Sequence, residues 1–91
     1  MVEQLKDILT EIEKEIASES SIWDKGQLVD VVKPEIEELY AYFTNGTVFF
    51  KYGKKQRMLV STYIITDSMK NLMNTALGEK IIKLQDMYNK L

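Results

Sequence analysis

LYAYFTNGTVFFKYGKKQRMLVSTYII, residues 39–65, is the stretch on which the fold turns. Asn45-Gly46 lies between two runs of aromatic and β-branched residues, and Asn-Gly readily supplies the positive φ angles of a two-residue type I′ turn. Pairing Thr44 with Thr47 sets Phe43 opposite Val48, Ala41 opposite Phe50 and Leu39 opposite Tyr52. One face of the ribbon is then apolar, and Tyr40, Tyr42, Phe49 and Lys51 share the other. A second turn at Gly53-Lys54-Lys55-Gln56 leads into a third extended run, Arg57–Ile65. A helical alternative exists for residues 35–43. Ile36, Leu39, Tyr40 and Phe43 also fit a helical stripe, with Pro34 at the first helical position and Asn-Gly as C-cap. The β-rich composition and the working register favour the strand.

Upstream, Val2, Leu5, Ile8, Leu9, Ile12 and Ile16 recur at three- and four-residue steps and predict an amphipathic helix from Val2 to Ala17. Ser18-Glu19-Ser20-Ser21 interrupts it. Ser21, with Asp24 three residues on, suggests the cap of a short second helix. Pro34 pushes Lys33 out of the α region, so a preceding helix is expected to stop there. Downstream, Thr66 or Asp67 is positioned to cap a long C-terminal helix. Asn74, Thr75 and Gly78 weaken its middle, predicting a kink near Asn74 or two helices with Thr75 recapping. The expected architecture is a single α+β domain over residues 1–91: an N-terminal helix, a short second helix, a three-stranded antiparallel β-meander and a C-terminal helix, in two layers.

Composition narrows the function. Ninety-one residues with 45% hydrophobic and 29% charged side chains suit one small globular core. The chain has no cysteine and no histidine. That removes disulfides, thiolate metal sites and His-based triads, and leaves acid–base work to Asp, Glu, Lys or Tyr. Ser61 and Thr62 have no histidine base, and neither Glu37-Glu38 nor Asp7/Glu11 faces a second carboxylate across a cleft. The four glycines are scattered and form no phosphate loop. The expectation is a protein that is not an enzyme and takes no cofactor or metal. No segment reads as a signal peptide or a membrane span, and a cytoplasmic setting is expected.

Charge is distributed unevenly. Residues 1–45 carry eleven acidic and four basic side chains, a net −7, whereas residues 46–91 carry three and eight, a net +5. Lys51, Lys54, Lys55 and Arg57 put four positive charges within seven residues. The sequence reading is a small protein-binding factor of regulator, inhibitor or immunity type. It would act through Tyr40, Tyr42, Phe49, Lys51, Lys54, Lys55 and Arg57. The alternative is a nucleic-acid-associated module using the 51–57 turn. An acidic net charge of −2 and a single arginine disfavour it. A homo-oligomer through the first or last helix is compatible with either, and no membrane partner is expected.

Overall fold

The computed structural model describes residues 2–45, 58–68 and 70–90. Helix α1 spans Val2–Ala17. Helix α2 is the single turn Lys25–Gln27, and it continues through a π turn, Leu28–Val32, into α3, Lys33–Thr44. Helix α4, Val60–Tyr63, widens into a second π turn, Ile64–Ser68. A 3-10 turn, Lys70–Asn74, then precedes α5, Ala76–Asn89. Among the described residues there is no strand. The α+β expectation is therefore corrected: helices pack on helices, and neither the β-hairpin nor the meander exists where the chain is described.

The correction has a physical cause. Ile36 and Leu39 are fully buried, and Tyr40 and Phe43 pack half-buried against the same core. Those positions share one face at the helical period of 3.6, and that common face outweighs the weak, context-dependent β-preference of Tyr-Ala-Tyr-Phe-Thr. Asn45 is the C-cap of α3, its N–H donating to the Ala41 carbonyl at 3.1 Å. The turn partner Gly46, and the proposed second strand and basic turn over residues 46–57, lie outside the described residues. The third run fares the same way as the first: Leu59, Ser61, Thr62, Ile64 and Ile65 are buried along a helix, whereas Val60 and Tyr63 face outward.

Pro34 does not stop the helix that precedes it, as the sequence suggested. Instead the turn before it is widened. The Lys33 N–H reaches back to the Leu28 carbonyl, five residues away. In a regular α-helix the ring of Pro34 would press on the Asp30 carbonyl and leave it without a donor. One π turn moves that carbonyl aside at lower cost than a break. The N-terminus of this composite helix is capped by Asp24, whose Oδ1 accepts from the Gln27 N–H at 3.0 Å. Ser21 stands one step earlier. Its hydroxyl accepts from the Trp23 N–H and donates to Glu15, tying the connection back to α1.

Helix α1 lies against both α3 and α5 and presents Leu5, Ile8 and Ile12 to them, all buried. Leu28, Val32, Ile36 and Leu39 from the second helix, and Leu77, Ile81, Leu84 and Tyr88 from α5, pack on them, and Trp23, Leu59, Ile64, Ile65 and Leu72 fill in the rest of the described core. Burying each such side chain contributes roughly 1.5–3 kcal/mol, so this apolar centre is the main source of stability. Helix α4 closes the bundle against α5 and the first π turn.

Ion pairs flank that centre. Lys80 on α5 bridges Asp7 at 2.9 Å and Glu11 at 3.0 Å on α1, and Lys33 on α3 meets Glu13 at 2.6 Å. Hydrogen bonds that the Lys80 ammonium donates to Asp7 and then to Glu11 raise its pKa above the ordinary 10.5, and Glu13 does the same for Lys33. A raised lysine pKa contributes stability that is complete below pH 10.5 and lost as pH rises through the folded value. Urea denaturation across that range is expected to fall less steeply with pH in Lys80→Gln than in the parent. Equal slopes would show that the bridge contributes nothing.

Candidate protein-docking face

Residues 58–63 emerge from the described helices as the surface of most interest, and their backbone is fixed from outside. The capping residue of α4 is Leu59, an aliphatic side chain with nothing to offer the free amides of the first turn. Two distant side chains replace it. Glu35 on α3 accepts from the Val60 N–H through Oε2 and from the Ser61 N–H through Oε1, both at 2.8 Å. Its Oε1 also accepts from the Ser61 hydroxyl at 2.6 Å. Gln85 on α5 accepts from the Leu59 N–H at 2.8 Å, and its own amide nitrogen donates to Asn89 at 2.8 Å. A carboxylate at a helix N-terminus also meets the positive end of the peptide dipoles.

With the backbone tied inward, Met58, Val60 and Tyr63 are turned out and are 45%, 44% and 56% exposed. Val60 and Tyr63 stand three apart on one helical face. Tyr42, on the last turn of α3, is also exposed. Tyr40 is not beside it. Two residues on a helix differ by about 200° around the axis, so Tyr40 turns onto the core while Tyr42 turns out. The shared sheet face expected of these two rings is thus replaced by opposite sides of one helix. Phe49, Lys51, Lys54, Lys55 and Arg57 lie outside the described residues. Met58, Val60 and Tyr63 were missed by the sequence reading. The helical alternation of buried Leu59, Thr62 and Ile65 against exposed Val60 and Tyr63 was the available signal.

Among the described residues, no three acidic side chains gather where they could hold a cation. Ser61 and Glu35 are hydrogen-bonded, yet Ser61 is fully buried and the carboxylate is occupied by two backbone amides. The pair is a helix cap rather than a nucleophile and its base. A cavity of about 200 Å³ opens between α1 and α5, lined by Ile8, Leu84 and Met87 beneath Asp7, Lys80 and Lys83. It is smaller than the 300–1,000 Å³ or so typical of small-molecule sites. No protein-family model, curated protein or solved structure matches this chain. The surfaces therefore have to be read from their own chemistry.

Proposed function

We propose that this chain is a small non-enzymatic protein-binding factor, of regulator, inhibitor or immunity type, acting in the cytoplasm. It docks its partner on Tyr42, Met58, Val60 and Tyr63 together with the lysine-rich 51–57 segment. The observation that carries this reading is the outward presentation of Met58, Val60 and Tyr63 on a backbone already tied to α3 and α5. A face held in place before binding loses little conformational freedom on association. Tyrosine and methionine are residue types enriched at interface centres. Tyr42 and Met58 bracket in sequence the 46–57 segment, which carries four basic and no acidic side chains. The partner that suits this combination has an apolar patch bordered by carboxylates.

The test is crosslinking capture from the native cytoplasm, followed by affinity measurement with the purified partner. Replacing Val60 by Lys and Tyr63 by Ala is expected to weaken that complex at least 30-fold or so, as loss of an aromatic anchor does. The circular dichroism melt should stay that of a folded helical protein. Lys54→Glu with Lys55→Glu is expected to slow association and reduce its salt dependence. Equal affinity in all three proteins would refute the assignment. Steeply salt-dependent oligonucleotide binding that vanishes in the lysine variant would replace it with the nucleic-acid reading.

A further inference from the structure

The segment that presents the docking face carries a second set of features that pull against its own seating. Thr62 is 3% exposed, and among the described residues its Oγ1 is a buried side-chain oxygen without a hydrogen-bond partner. A buried hydroxyl left unpaired disfavours the folded state, because it recovers water as soon as the surrounding structure opens. One residue beyond Thr62, after Tyr63, the backbone loosens into the π turn Ile64–Ser68, a geometry seldom used in long runs. The four-residue helix before it is too short to persist alone. Its first amides are satisfied by Glu35 and Gln85 and not by any residue of its own. Holding it down are the buried side chains Leu59, Ile64 and Ile65.

From these opposed features we infer that residues 58–66 form a latch that opens as a unit while the α1–α3–α5 bundle stays folded. Glu35 and Gln85 hold it shut, and the Thr62 hydroxyl biases it toward opening. When it opens, Leu59, Ile64 and Ile65 leave the core, and Val60 and Tyr63 lose their fixed presentation. The device belongs to the fold and stands whether or not a partner uses the face. It gives the chain two states that differ at one surface, with a side-chain contact that sets the balance.

Amide exchange on the full chain, followed residue by residue by NMR, tests the latch without any ligand. Tyr63 and Ile64 report on it, and Ile8 and Ile12 on the bundle. In the parent protein the latch amides are expected to exchange at least about tenfold faster than those of α1 once intrinsic rates are divided out. Glu35→Gln, which removes the charge from three hydrogen bonds, should widen that gap about tenfold, and Thr62→Val, which keeps the shape and removes the unpaired hydroxyl, should narrow it by a similar factor. Should Glu35→Gln fail to fold, the Thr62→Val arm decides alone. The latch is refuted if the two regions exchange at one common rate in the parent. It is equally refuted if both substitutions shift the two regions in parallel and leave the gap unchanged.

Discussion

Gly78→Ala is expected to destabilise the protein by about 4 kcal/mol, where the same change in an ordinary helical turn would stabilise it by up to about 1 kcal/mol. Gly78 is the third residue of α5 and is buried. A Cβ built on it would stand 1.8 Å from the Leu72 carbonyl oxygen and 2.7 Å from the Leu72 carbonyl carbon. Both atoms are backbone, so no rotamer change relieves the clash. Leu72 itself is fully buried, so moving its backbone away disturbs the core as well. For a domain of this size the whole folding free energy is of order 5–14 kcal/mol. A loss of this magnitude should therefore lower the melting temperature by roughly 15–30 °C. Thermal denaturation followed by circular dichroism measures it, and a melt within a few degrees of the parent would show that the 3-10 turn can yield.

The adjoining threonine gives the second large effect. Thr75 is the N-cap of α5, and its hydroxyl uses every position it has. It donates to the Leu72 carbonyl at 2.7 Å and accepts from the Gly78 N–H at 2.9 Å and from the Trp23 indole N–H at 3.2 Å. Thr75→Val preserves the shape, leaves the Gly78 and Trp23 N–H donors unanswered and leaves the Leu72 carbonyl with only the Thr75 backbone N–H at 3.1 Å, for an expected loss of about 3 kcal/mol. Thr75→Ser retains the hydroxyl and should lie within about 1 kcal/mol of the parent. If urea midpoints place Val and Ser together, the hydroxyl is not what holds this joint. Because Gly78 and Thr75 share the Leu72 carbonyl, a double variant should lose less than the two single losses combined.

This joint was partly legible beforehand. Asn74, Thr75 and Gly78 are poor helix formers in a helical stretch, and the recapping alternative at Thr75 is the one adopted. Helix α1 was legible as well, because a stripe with Leu5, Ile8 and Ile12 at its centre admits only one period. The reading failed over residues 39–45 and 58–65, where two periods fit the same letters. Strand pairing there was tested by cross-strand register alone, and a register works for any two apolar runs around an Asn-Gly. The deciding information was non-local: Ile36 and Leu39 have α1 to cover them. The same holds for the candidate site. Nothing in residues 58–63 announces that a glutamate 25 positions upstream supplies the missing cap. Trans-capping of this kind leaves no motif, because its partners are brought together only by the finished bundle.

Trp23 acquires a practical meaning from its place in that bundle. It is the chain's single tryptophan, nearly sealed from water, with its indole nitrogen hydrogen-bonded to the hydroxyl that starts α5. The molecule therefore contains one indole fluorophore, excitable selectively over the five tyrosines and seated at the junction between the second helix and the last. Its emission reports the integrity of that junction, while circular dichroism averages over every helix. Wherever the two signals part company during unfolding, the order in which the helices separate becomes readable without any added label.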